Sequence, residues 1–249
     1  MMADYSQIIP RILDEPERTR VGKQLLAIAK DCLAEQLKTA KVLDVGCAGG
    51  TITALFATEA TQVIGIDPDK TAIEFARRHY RRKNLRFEVA DALKLPWGDE
   101  RFDLVICNQV YEFVPSDEKL MREIHRVLKP GGVCLFGAAN RWVLIEPQYR
   151  LPLLSWFPPK AAQVVLALIR PGTKYVGRYR GYFSLRQLIK KFEIIDYTPR
   201  ILADPPRFGF SKLAKIAWLT KIGAIFYPLI AALVPNYLWI LRKPNQKSP

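Results

Sequence analysis

Three carboxylates and two amides recur at equivalent places in the first 140 residues. Asp44, Asp67, Asp91, Asn108 and Asn140 each close a short apolar run. One such residue is an ordinary helix cap or turn residue. Five in series, one per run, set a row of polar groups along one edge of whatever the runs build. Between the first two lies Gly46-Cys47-Ala48-Gly49-Gly50, and glycines at such a place let backbone approach a ligand closely. A dinucleotide fingerprint, G-x-G-x-x-G, needs glycine where this sequence has Gly46, Ala48 and Thr51. The spacing is instead Asp44-x-Gly46-x-Ala48-x-Gly50. A carboxylate at Asp67 can accept both hydroxyls of a ribose, and Asp91 can accept from the exocyclic amine of a base. The pattern implies a nucleoside, with neither a pyrophosphate fingerprint nor a phosphate-loop lysine.

Groups able to move a proton follow the fourth and fifth runs: Tyr111 and Glu112, then Glu146 and Tyr149. Glu146 is the only acid in 141–183, so it is either an ion-pair partner for Arg141 or Arg150 or a substrate-facing base. His79 and His125 fall on helical stretches directed away from the ligand end and read as surface residues. The RRHYRRK run at 77–83 reads as a solvated helix end. Cys32, Cys47, Cys107 and Cys134 lie far apart, with no C-x-x-C pair. A disulfide framework or a metal site is not expected, and reduced thiols in a cytoplasmic protein are. The first ten residues contain Asp4 and lack the apolar region of a signal peptide.

The elements that must position these residues alternate. Apolar strands are expected at Lys41–Val45, Val63–Ile66, Arg86–Val89, Phe102–Cys107 and Val133–Phe136. Helices are expected at Thr51–Ala60, Lys70–Arg82 and Glu118–Leu128, the last stopped by Lys129-Pro130-Gly131-Gly132. Near-continuous apolar strands alternating with helices predict a parallel sheet covered on both faces. Its ligand then lies beyond the carboxyl ends of the strands, where the polar row stands.

VLDVGCAGG at 42–50, VIGIDP at 63–68, VADALKLPW at 89–97, FDLVICNQVYEFV at 102–114 and REIHRVLKPGG at 122–132 together resemble the successive motifs of class I S-adenosylmethionine-dependent methyltransferases. The subgroup they resemble includes the ubiquinone/menaquinone and other small-molecule and lipid methyltransferases. The resemblance covers roughly residues 35–140. It implies S-adenosylmethionine as cosubstrate, with the methionyl part near Asp44, Gly46, Cys47, Ala48 and Gly50. The ribose falls on Asp67 and Pro68, the adenine on Asp91 and Ala92, and Asn108 lies beneath the sulfonium. There are two departures. Ala48 replaces the usual middle glycine, and Phe113 stands where related enzymes often carry His, which puts a base at that position in question. The implied fold is α/β: a Rossmann-like, doubly wound, seven-stranded and mostly parallel sheet with an antiparallel last strand, plus helical cap insertions.

Completing that fold assigns Ser184–Lys191 to a helix, Phe192–Leu202 to strand six and Tyr237–Leu241 to strand seven. The organisation is then a cofactor-binding core with N-terminal helices at 1–140, a cap insertion at 141–183, a core helix and strand at 184–202, a second apolar cap at 203–236, and the last strand and tail at 237–249. The two caps should meet over the methyl group.

The chain has 249 residues and a net charge of +14. Residues 1–140 balance 20 basic against 20 acidic residues, while 141–249 hold 18 basic, four acidic and 17 of the 27 aromatic residues. Charge and aromatics together suit an anionic membrane surface. Lys160–Arg170 is amphipathic at helical spacing, with Val164, Val165, Leu168 and Ile169 opposite Lys160, Gln163, Ala167 and Arg170. Its apolar side either packs on the core or enters a lipid interface. Arg170, Lys174, Arg178 and Arg180 should contribute to membrane binding. Ile222–Leu241 is 20 residues without a charge, yet Gly223, Pro228 and Pro235-Asn236 break it, so a helical cap ending near Val234 is expected rather than a span.

The expected function is methyl transfer to a hydrophobic or lipid-linked acceptor, in the cytoplasm or on the cytoplasmic face of the membrane. The alternatives are an RNA methyltransferase, against which the apolar cap argues, and a catalytically silent S-adenosylmethionine-binding interaction protein. A nicotinamide-dependent dehydrogenase ranks last on its glycine spacing.

Overall fold

The apolar runs at Lys41–Val45, Gln62–Asp67 and Phe102–Asn108 bury nearly every residue because they lie inside a sheet covered on both sides. In β1 (Lys41–Val45) only Lys41 is exposed, and in β4 (Phe102–Asn108) the stretch Leu104–Cys107 is fully buried. The computed structural model describes residues 15–146 and 148–245; the expectation about the N-terminal ten residues lies outside these. Seven strands form one sheet in the order β3-β2-β1-β4-β5-β7-β6. They are β2 (Gln62–Asp67), β3 (Leu85–Val89), β5 (Leu128–Ala139), β6 (Glu193–Asp196) and β7 (Asn236–Arg242) with β1 and β4. β1 to β5 pair in parallel, and β7 inserts antiparallel between β5 and β6.

On one face lie α1 (Glu15–Leu33), α2 (Gln36–Thr39), α3 (Thr51–Phe56) and α4 (Lys70–His79). Leu25, Ile28, Phe56, Ile73 and Phe87 share an apolar cluster on that side. α5 (Asp117–Val127) and α7 (Tyr182–Leu188) cover the other face, where Leu120, Ile124, Leu185 and Trp239 pack together. Caps agree with the sequence: Asp69 accepts from Ala72 N–H to start α4, and Ser116 from Lys119 N–H to start α5.

Several elements differ from expectation: α3 ends at Phe56 and α4 at His79, short of Ala60 and Arg82. β5 begins at Leu128, so Pro130-Gly131-Gly132 lies within the strand instead of ahead of it. Gly131 N–H donates to Lys243 O, and Lys243 N–H to Gly132 O, so β7 holds the turn-like tripeptide at the sheet. The register with β4 slips there, between Phe102 and Leu104. β6 covers only Glu193–Asp196, because α8 (Thr198–Ala203) begins with Pro199 in its first turn. The helix expected at Ser184–Lys191 sits two residues earlier.

The two extra segments carry α6 (Pro159–Ile169), then α9 (Ser211–Ala214) and α10 (Ala217–Ile230). The first has a small core of its own, with Tyr149, Leu154, Ala162, Leu166 and Tyr175. The second packs against α8 and, through Phe208 and Gly209, against Tyr197 and Gln24. Asn140 joins their roots: its buried Nδ2 donates to Ala232 O and Val234 O, and residue 140 bridges to Arg180. Asn140 is thus a tether and leaves the ligand-facing row.

Candidate active site

The polar row converges at the carboxyl end of the sheet. The glycine loop is stitched to β2: Gly46 and Cys47 N–H groups both donate to Ile66 O, at 2.8 and 2.9 Å. Asp67, which ends β2, accepts from Ala48 N–H and Asp69 N–H, both at 2.9 Å. Each carboxylate oxygen therefore holds one backbone donor and keeps a lone pair for a ligand hydroxyl. Asp44 is buried within β1 and accepts from Thr53 Oγ1 at 2.7 Å. Burial pushes its carboxyl up to about 6, opposed by the Thr53 hydrogen bond and the charge of Arg18. Asp67 is raised too, chiefly by burial. Two desolvated carboxylates so close favour a cationic ligand, which restores the charge balance that burial removes.

Gly50 has φ +83°, and a Cβ there would meet Phe87 and Ala76 at 2.6–2.8 Å, so the loop's last residue must be glycine. Ala48 takes φ +48°, a left-handed conformation costly for alanine. Pro68 is half-buried beside Asp67. Asp91 is exposed and turns one oxygen to Leu93 N–H at 2.8 Å, with Ala92 buried next to it. Asn108 is half-buried at the end of β4, its Oδ1 only 1.9 Å from where a Cβ would stand on Gly137. Sequence reasoning missed Gly137, the residue that leaves room for this amide, and Arg18, whose charge reaches Asp44, Cys47 and Asp67 from α1.

The four residues considered for proton transfer separate into two groups. Tyr111 and Glu112 are buried beside β5. Tyr111 OH donates to Ala139 O at 2.6 Å and accepts from Arg180 N–H, and burial pushes its phenol well up. Glu112 Oε1 accepts from Ala139 N–H at 2.9 Å, while Oε2 is buried without a hydrogen-bond partner. Burial pushes this carboxyl up to about 8. Glu146 and Tyr149 instead hold the first cap together. Glu146 accepts from Tyr149 N–H and from Tyr179 OH, and forms no ion pair with Arg141 or Arg150. Tyr149 OH donates to Lys174 O, accepts from Val176 N–H, and is pushed up to about 12 by burial. Tyr179, which joins the two groups through its bond to Glu146 and its proximity to Glu112, was not legible in the sequence.

His79 is exposed and stacks on Phe75, as a surface histidine should, whereas His125 is half-buried against Phe192, with burial lowering its pKa. All four cysteines are free. Among the described residues, no group of three His, Cys, Asp or Glu side chains is placed to hold a metal ion. Among the same residues, no helix is long and apolar enough to cross a membrane.

Residues 43–136, from β1 through most of β5, match the family model described as "Methyltransferase domain". This segment is thus similar to a methyltransferase domain. The fold and family imply S-adenosylmethionine as its cosubstrate, and the donor set fits: carboxylates for the ribose hydroxyls and for a positively charged methionyl group. Curated proteins similar to the chain include the "Ubiquinone biosynthesis O-methyltransferase" of Coxiella burnetii, 29% identical over 143 residues. Its Pseudomonas syringae counterpart is 32% identical over 140 residues. The matches cover 54% and 53% of this chain, and the chain spans 59% of the length of each relative. Among solved structures, an S-adenosylmethionine-dependent methyltransferase from Mesorhizobium loti superposes with a TM-score of 0.57 at 19% identity, covering 86% of this chain and 96% of that one. The [4+2]-cyclase SpnF superposes at 0.54 with 22% identity, covering 88% and 82%. The shared property is the fold, which hosts more than one reaction.

Proposed function

We propose that the chain transfers a methyl group from S-adenosylmethionine to a hydrophobic, lipid-like acceptor at an anionic membrane surface. The observation carrying the transferase reading is Asp67, whose backbone-held carboxylate lies beside the glycine loop of a matched methyltransferase domain. The curated relatives' names support a hydrophobic, quinone-type acceptor and methylation at oxygen. Bound cosubstrate supplies a methyl already activated by its sulfonium. The chain's task is alignment in a dry site, worth about 7–11 kcal/mol when geometry is good.

The proposed contacts are Asp44, Gly46, Cys47, Ala48 and Gly50 for the methionyl part, Asp67 and Pro68 for the ribose, Asp91 and Ala92 for the adenine, and Asn108 under the sulfonium. Glu112 is the proposed base for an acceptor hydroxyl, since its Oε2 has an open valence. Tyr111 shapes the pocket wall, and Glu146 and Tyr149 position the cap around it.

Membrane contact is supported by what the two later segments expose. Leu168 is 79% exposed on α6, and Trp218 and Leu229 are 70% and 79% exposed on α10. Val164 and Leu168 do not pack on the core; Ala162 and Leu166 do. Lys160 and Arg170 flank α6, and Lys212, Lys215 and Lys221 gather near the start of α10, which suits an interfacial helix. Arg180 leaves the set of membrane-binding charges, because Asp117 and Glu118 neutralise it. A nucleic-acid acceptor fits less well. A strongly basic cleft, with Arg77, Arg81, Arg82, Lys83 and Arg86, opens at the amino end of β3, away from the proposed sulfonium position.

Incubation with methyl-labelled S-adenosylmethionine and a membrane extract tests the reading. Label is expected in the organic-soluble fraction. Label confined to protein or RNA refutes the lipid acceptor, and failure to float with anionic vesicles at moderate salt removes the membrane part.

A further inference from the structure

A cleft of about 520 Å³ opens between the methyltransferase core and the 141–180 segment. Tyr111, Tyr175, Tyr179 and Phe157 give it aromatic walls, and three arginines line it. Their situations differ. Arg180 is ion-paired with Asp117 and Glu118, the two acids in the lining. Among the described residues, Arg141 and Arg178 have no carboxylate partner at ion-pair distance. Each guanidinium is anchored by one main-chain carbonyl: Arg141 Nη2 donates to Trp156 O at 3.0 Å, and Arg178 Nη1 to Pro115 O at 3.3 Å. Arg141 is also braced over the Trp142 ring, 5.5 Å from its centroid. Anchoring by a single nitrogen fixes each head while leaving further N–H donors open. Three arginines against two acids leave the lining net positive, and two solvent-reachable guanidiniums without a carboxylate partner suit an anion.

We propose that this cleft binds the anionic end of an amphiphile, a carboxylate or a phosphate, and that the methyl acceptor belongs to this class; the second part rests on the transferase reading above. The guanidinium forks of Arg141 and Arg178 match the planar or trigonal oxygens of such a head. The tyrosine rings take the adjoining segment, and half-exposed Phe157 and Trp156 lead the apolar remainder outward. Lipid-facing residues and head-group arginines then lie in one continuous segment, so an acceptor can move from the membrane into the cleft without leaving apolar contact.

The test is titration calorimetry of the full chain with decanoate, decyl phosphate and decanol, each below its aggregation concentration and at fixed salt. At least one anionic ligand should bind about tenfold or more tightly than decanol, the strength expected of charge-assisted hydrogen bonds. Preference for decyl phosphate assigns a phosphate head, and preference for decanoate a carboxylate. Arg141→Gln/Arg178→Gln should erase the preference, and Arg81→Gln/Arg82→Gln, in the remote basic cleft, should preserve it. Equal binding of all three ligands overturns the proposal, as does a preference that survives the first pair or vanishes with the second. If the glutamine pair does not fold, Arg141→Lys/Arg178→Lys keeps the charge but removes the fork, and the same loss of preference is required in weaker form. S-adenosylmethionine binding is measured separately. Anion preference without cosubstrate binding refutes the transferase reading alone, and cosubstrate binding without anion preference refutes the cleft alone.

Discussion

The sheet core and the segments that follow it place charge and apolar surface in opposite ways. In the core, carboxylates are buried and satisfied by backbone N–H groups, as at Asp67, and apolar side chains are hidden, as along β4. In the later segments the large apolar side chains are outside, on α6 and α10, and the basic residues stand around them. The first arrangement resists water; the second leaves a surface that water covers poorly. The contrast teaches that burial shapes the first part, whereas the second leaves its large apolar side chains on the surface.

The largest expected effect tests whether that division is real. Gly50→Val adds a Cβ into Phe87 and Ala76 at a positive φ and should cost about 3 kcal/mol in urea unfolding. Trp218→Lys or Leu229→Lys on α10 should change stability by less than about 0.5 kcal/mol, as exposed positions do. A loss above about 1 kcal/mol at either α10 position would mean that α10 belongs to the folded interior.

Next comes Glu112. Its carboxyl sits at about 8 against an ordinary value of 4.5, so the folded chain keeps a proton that the unfolded chain releases. Wild-type stability should be greatest below pH 4.5 and decline as pH rises to about 8. Glu112→Gln lacks this decline, so its stability relative to the wild type should grow steadily between these limits in denaturant unfolding. Parallel pH curves for the two proteins would show that Glu112 titrates normally. If Glu112 is also the base, labelled methyl transfer in the wild type should rise with pH through the same range.

Smaller still is the effect of charge on the exposed faces. Leu168→Glu with Leu229→Glu should weaken binding to anionic vesicles about tenfold or more in flotation. S-adenosylmethionine affinity should stay within about twofold, the sites being distant from the glycine loop. The smallest effect belongs to the core. Ala48→Gly relieves a left-handed alanine and should stabilise the chain by about 0.5–1 kcal/mol; a loss would show that the Ala48 methyl group makes contacts worth more than the strain.

The core was legible in the sequence because strand, glycine loop and terminal acid are consecutive there. Asp44, Asp67 and Asn108 needed only the apolar runs to be placed. Asn140 was misread because its partners, Ala232 and Val234, are more than 90 residues away. The Pro130-Gly131-Gly132 stretch reads as a stop until β7 supplies hydrogen bonds to it. Glu146 looked like an ion-pair member for want of other acids, yet a phenol and a backbone amide satisfy it. On α6 the spacing marked an apolar side without showing that Ala162 and Leu166, rather than Val164 and Leu168, face inward. Helical periodicity gives the stripe, and only the packing partner gives its direction.

The place of β7 has a consequence for synthesis. It lies between β5 and β6, although it is made after both. While the chain leaves the ribosome, β5 has an open edge until Asn236–Arg242 emerges, and β6 has no neighbour at all. The half built on β1 to β4 can form first, but the sheet closes only with its last strand. The interval between is when this protein most needs protection from pairing with the wrong strand.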